Sequence, residues 1–110
     1  MAHAAAELAE KGGGRCAVAG ALTIETVPWL WQELKSGGLL TAATEADLSG
    51  VTDADSAGLA LLVTWRGSCV AAGGNLGYRG LPARILALAQ LTGAESALGA
   101  DAAADGNSRS

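Results

Sequence analysis

The stretch DLSGVTDADSAGLALLV, Asp47 to Val63, changes character at its middle. Leu48 and Val51 are apolar, while Asp47, Ser49, Gly50, Thr52, Asp53 and Asp55 carry turn and cap chemistry. After Ser56 the polar residues vanish and helix formers take over. The pattern predicts a strand end, a polar turn, and then a helix that starts on a hydroxyl. Asp55 and Ser56 are both strong N-cap types, since a short side-chain oxygen accepts from the free N–H groups of a first turn. A serine placed there faces solvent or a partner, and the partial positive charge of the helix end favours an anion beside it. Phosphorylation or a second protein can therefore read Ser56 without any catalytic machinery.

Composition bounds what surrounds this segment. A chain of 110 residues makes one domain with a single core of two packed layers. Half of the residues are hydrophobic, yet Phe is absent, so Leu, Val, Ala and Trp must build the core. A formal charge of -4 argues against nucleic acid, whose phosphates demand a basic surface. The apolar run Ala57 to Trp65 falls short of the roughly 20 residues that span a bilayer, so no direct membrane insertion is expected. The opening MAHAAAELAEK lacks the charged start and apolar core of a secretory signal, which points to a cytoplasmic protein. Cys16 and Cys69 form no metal-site spacing and are expected to stay reduced and pack as small hydrophobes. His3, the single histidine, has no Cys or Asp partner close in sequence, which argues against a general base or ligand.

Outward from the central stretch, strands alternate with helices. Gly12–Gly14 separate Ala5–Glu10 from Arg15–Gly20, which reads as a hairpin or as an alanine-rich helix followed by a strand. Thr26 can cap a helix with Pro28 in its first turn and Gly37-Gly38 as its stop. Val27, Leu30, Trp31 and Leu34 make one apolar stripe on it, with Trp29 projecting from the opposite side. Thr44–Leu48 reads as a strand, Ser56–Ala72 as a helix, Asn75–Arg79 as a short strand, and Leu81-Pro82 opens a helix that Gly93 ends. Residues 99–110 are small and polar and are expected to be a disordered tail after a domain of residues 1–98, with its core at about 15–98. The fold class is an α/β sandwich, one sheet with helices packed on it.

The helix after Ser56 carries an unusually broad apolar surface. Leu59, Leu61, Leu62, Val63, Trp65, Cys69 and Val70 sweep roughly 200° of the wheel, against about 100° for an ordinary surface helix. Either part of that arc stays exposed, with Leu61 and Trp65 at its edge as interface anchors, or a broad core absorbs it.

Taken together, these residues resemble the STAS domain family, which includes bacterial anti-sigma factor antagonists. The strand end Asp47, Leu48, Ser49 and Val51, followed by Asp55, Ser56, Gly58 and Leu59, looks like the family pattern. Gly20 with Leu22, then Pro28, Leu30 and Trp31, the run Gly58–Leu62, and Leu88, Ala89 and Leu91 are similar to the cytoplasmic STAS subunit of the Mla phospholipid-transport ABC system. The sequence departs from the family at Ala21, Thr23, Ala54 and Ala57. The resemblance implies a noncatalytic adaptor that docks on the ATPase of a transporter maintaining outer-membrane lipid asymmetry, held at the inner membrane through that complex. It places the docking surface at the Ser56 helix end and the neighbouring helix. The contact residues it implies are Ser56 and Trp31 first, with Asp55, Gly58, Leu61 and Trp65. The alternative it implies is an anti-sigma factor antagonist, switched by a partner kinase that phosphorylates Ser56. No catalytic residue, metal site or cofactor is expected, because no nucleophile–His pair exists and Gly12–Gly14 lacks the G-K-[ST] of a phosphate loop.

Overall fold

The computed structural model describes residues 4–99. Strands β1 (Ala6–Gly12) and β2 (Arg15–Leu22) form an antiparallel hairpin, paired from Ala6 opposite Gly20 to Gly12 opposite Arg15. Of the two readings of Ala5–Glu10, the strand prevails, because pairing with β2 buries Ala6 and Leu8 on one face. Gly12, Gly13 and Gly14 make the turn with φ of 85°, 65° and 80°, a left-handed run that side chains would strain.

Helices α1 (Val27–Ser36) and α2 (Leu39–Ala42) then lead to β3 (Glu45–Ala54), which lies parallel to β2. Helix α3 (Ser56–Ala71) leads to β4 (Gly77–Arg79), parallel to β3, and α4 (Ala83–Thr92) precedes a 3-10 turn at Ser96–Leu98. The sheet order is β1-β2-β3-β4. Both parallel crossovers step the same way along the sheet, so right-handed connections bring their helices to one face. Burial alternates accordingly. Cys16, Val18, Ala46 and Leu48 face the helices, while Arg15, Glu45 and Asp47 between them face away. On that second face Arg79 Nε lies 3.6 Å from Glu45 Oε2, an exposed pair that adds little stability.

Two expectations need correction, and one element had no expectation. The polar turn after Leu48 is strand: β3 runs on to Ala54, with Val51 opposite Gly20 and Ala54 opposite Leu22. Two register shifts each give β3 one extra residue over β2, and Ser49 and Thr52 fall at those irregular positions, while Gly50 lies opposite Ala19. Turn chemistry thus marks bulges here, not a chain reversal. Helix α2 had no periodic signal, since four residues are too few for one. Finally, Leu61 and Trp65 are not the exposed part of the α3 arc: α1, α2, α4 and the 3-10 turn pack against the helix, and the residue left exposed is Val70, at 49%. Leu61 is 3% exposed and Trp65 is 0% exposed, so the core absorbs them. Trp65 Nε1 donates to Leu39 O at 2.9 Å, which ties α2 under α3. His3 and the expected tail, apart from Gly99, lie outside the described residues.

Gly58 fixes how closely α3 approaches the sheet. A Cβ at this position would run into the carbonyl oxygen of Leu22, the last residue of β2. Backbone cannot yield as a flexible side chain would. Gly58→Ala is therefore expected to destabilise the fold by about 1–3 kcal/mol in urea unfolding, the ordinary cost of overpacking. An unchanged midpoint would show that α3 can lift from β2 at no cost.

Candidate functional site

The site begins at the junction of β3 and α3. Asp55, not Ser56, is the N-cap: its Oδ1 accepts from Ala57 N–H at 2.9 Å and Gly58 N–H at 3.2 Å. Its Oδ2 accepts from Ile24 N–H at 3.0 Å, in the loop that leads from β2 to α1. The Ile24 bond above all, then those of Gly58 and Ala57, hold the Asp55 carboxyl below its ordinary value, with Arg84 adding to them. Ser56 is the first residue of α3, exposed, and its hydroxyl is released from capping duty. The helix does not start on a hydroxyl as expected, because a carboxylate supplies two acceptors where a hydroxyl supplies one oxygen.

A shallow groove of about 350 Å³ runs between α1 and α3. Val27, Pro28 and Trp31 form the α1 wall, and Ala57, Ala60, Leu61 and Thr64 form the α3 wall. Every lining side chain is uncharged. The helical period explains both walls: Ala57, Ala60, Leu61 and Thr64 fall at i, i+3, i+4 and i+7 of α3. The α1 stripe is split in the same way. Leu30 and Leu34 enter the core, whereas Val27 and Trp31 are half-buried at its edge. Thr26 does not cap α1 with its side chain; its Oγ1 accepts from Thr23 N–H at 3.1 Å and donates to Ala21 O at 2.8 Å. That makes residues 21–27 a rigid, internally bonded corner, with Ile24 left 71% exposed on it.

The residues named from sequence therefore separate into three groups. Trp31 and the largely buried Leu61 line the groove, while exposed Ser56 and the bridging Asp55 directly precede Ala57, the first residue of its α3 wall. Gly58 is buried against Leu22, and Trp65 sits in the core with its ring edge-on to Tyr78 at 5.8 Å. Neither presents surface to a partner. Sequence reasoning missed Ile24 and the groove-lining Val27, Pro28, Ala57, Ala60 and Thr64 as site residues. Pro28 and Ala57 stood within the motifs already noticed, whereas an isolated isoleucine between threonine and glutamate gives no signal.

Other chemistry is sparse. Burial pushes the Cys16 thiol up to about 11, with Glu10 and Cys69 adding to it, and burial also raises Cys69. Both thiols stay protonated, with Cys69 Sγ donating to Leu40 O at 3.4 Å. Among the described residues no three His, Cys, Asp or Glu side chains converge as metal ligands. Among the same residues no helix is long and apolar enough to cross a membrane.

Comparison with known families settles what this arrangement belongs to. A family model described as Mlab, STAS domain matches residues 6–99. The chain belongs to the STAS domain family. No curated protein matches it. STAS domains are in general noncatalytic binding domains. In this STAS domain the mixed four-stranded sheet carries four helices on one face, and the groove lies in that helical layer.

The depressed Asp55 carboxyl sets a pH dependence. A group whose pKa is lowered by folding contributes stability above its ordinary value of 3.8 and loses it as the pH falls through the folded value. Asp55→Asn has no such titration. The stability difference between the natural protein and Asp55→Asn is expected to be largest near neutral pH and to shrink below pH 3.8. Thermal melts across that range check it, and a pH-independent difference would count against the three carboxylate bonds.

Proposed function

We propose that this STAS domain is a noncatalytic adaptor that binds the ATPase of an ABC phospholipid transporter and supports its assembly or activity. In this reading the transporter maintains outer-membrane lipid asymmetry, and the protein is cytoplasmic, reaching the inner membrane only through the complex. The uncharged groove between α1 and α3, whose α3 wall starts at Ala57 directly after exposed Ser56, is the observation that carries the reading. Trp31 is the largest side chain on its rim, and half-buried aromatics beside apolar clefts are common anchors of interfaces. The sequence likeness to the Mla branch, from Pro28-Trp29-Leu30-Trp31 to Gly58–Leu62, favours a transporter ATPase over other partners.

Truncating the anchor or charging the groove end tests this directly. Trp31→Ala and Ser56→Asp are each expected to reduce copurification of the ATPase, by about tenfold or more if Trp31 is a hot spot. Wild-type amounts of ATPase with both variants would remove the groove as the docking site.

A second reading is an anti-sigma factor antagonist switched at Ser56. The observation that favours it is that Asp55 does the capping, so the Ser56 hydroxyl is exposed and available to a kinase. A phosphate there would add about two negative charges at a helix N-terminus, favoured by the helix end and opposed by Asp53 and Asp55. Intact-mass measurement on protein from its native host separates the two readings. A phosphate on Ser56, together with a copurifying anti-sigma kinase, is the result this second reading expects.

A further inference from the structure

We propose that Asp55 is a positioning residue for partner docking, acting through the Ile24 corner rather than by touching the partner. The proposal rests on the docking reading above and deepens it. One carboxylate joins two elements that are 31 residues apart: Oδ1 caps α3, and Oδ2 holds Ile24 N–H at 3.0 Å. The corner it holds is stiff in itself, since Thr26 Oγ1 bonds Thr23 and Ala21, and Val27 N–H donates to Thr23 O at 2.9 Å. Such a unit moves as a block. Fixing its Ile24 amide therefore fixes Val27 and Pro28, which follow directly and form part of the α1 wall of the groove.

Ile24 itself points the same way. A large apolar side chain in a surface loop normally folds down onto nearby apolar surface. Here its backbone is bonded to Asp55 while the residue stays 71% exposed, at the end of the molecule where α1 and α3 both begin. Asp55 thus sets the spacing of the two helix starts and displays Ile24 beside Ser56. Arg84, the cation whose charge reaches Asp55, stands on α4, on the side away from the α1–α3 groove, and lines a separate hollow with Asp53.

Asparagine separates the two jobs of the carboxylate. Its carbonyl oxygen caps a helix about as well as aspartate does, but its NH2 donates and cannot accept the Ile24 amide. Three measurements apply to Asp55→Asn, Ile24→Ala and the double variant: melting temperature, amide exchange at Ile24 by NMR, and affinity for the ABC phospholipid-transport ATPase of the host. Asp55→Asn is expected to stay folded, to exchange the Ile24 amide about tenfold faster or more, and to bind the ATPase about five- to tenfold more weakly. The double variant is expected to bind no more weakly than the weaker single one, because Asp55→Asn already misplaces the side chain that Ile24→Ala removes. Unchanged exchange at Ile24, or fast exchange with wild-type affinity, overturns the positioning role, and so does an additive double variant. If Asp55→Asn melts early, Asp55→Ser, which caps with a single oxygen, replaces it in all three measurements. Trp31→Ala distinguishes the failures. Weak binding by that variant, with wild-type affinity for Asp55→Asn, removes only the positioning role, whereas wild-type affinity for both removes the docking surface itself.

Discussion

Helix α3 can lie where it does only because residue 58 has no side chain. At that point the helix backbone meets the carbonyl of Leu22 at the end of β2, and any Cβ would push the two apart. The rest of the helical layer is arranged around this approach. Seated low, α3 carries Leu59, Leu62, Trp65 and Cys69 into the core and receives helices on both flanks. Trp65 fills the centre of a core that contains no Phe, and its indole must find an acceptor once buried. Leu39 O supplies it, which explains why a four-residue helix with no signal of its own is held in place. Arg66 does a similar job at the other flank, donating to Leu76 O at 3.0 Å and to Ala97 O at 3.4 Å.

The same low seating builds the site. With α3 close to β2, the Asp55 carboxylate reaches the loop that leaves β2, and α1 starts directly alongside α3. Two helices starting side by side leave a cleft between their first turns, and the residue types there keep it apolar and shallow. At this end the Asp55 carboxylate and the Thr26 hydroxyl are already paired, whereas no partner of the Ser56 hydroxyl is found among the described residues. Such a surface suits recognition, since it offers shape, apolar area and one modifiable group, and it contains no nucleophile–base pair.

Particular residues show how far sequence reasoning reached. The cap chemistry of Asp55-Ser56 located the start of α3 to within one residue, and Gly93 and Gly37-Gly38 marked helix ends where the chain indeed stops being helical. Ser49 and Thr52 were misread because bulges and turns use the same residues, and only pairing with β2 distinguishes them. Trp31 and Ser56 were singled out 25 positions apart in sequence; Trp31 lines the groove, and Ser56 directly precedes Ala57, the first residue of its α3 wall. Trp65 and Gly58 were given surface roles that burial denies them: a wheel shows the width of an apolar arc but not how many neighbours cover Trp65, and a motif match does not show that Gly58 meets Leu22.

By itself the sequence determined the α/β order of elements and the capped helix after Asp55, which depend on local periodicity and short-range hydrogen bonding, and it carried the residues that resemble the STAS family. The tertiary structure alone decided which apolar residues remain at the surface, because exposure depends on what α1, α2 and α4 bring against α3. It also decided that Asp55 joins α3 to Ile24. No spacing in a chain foretells a bond between residues 31 positions apart, since that bond exists only once β2 and β3 lie side by side.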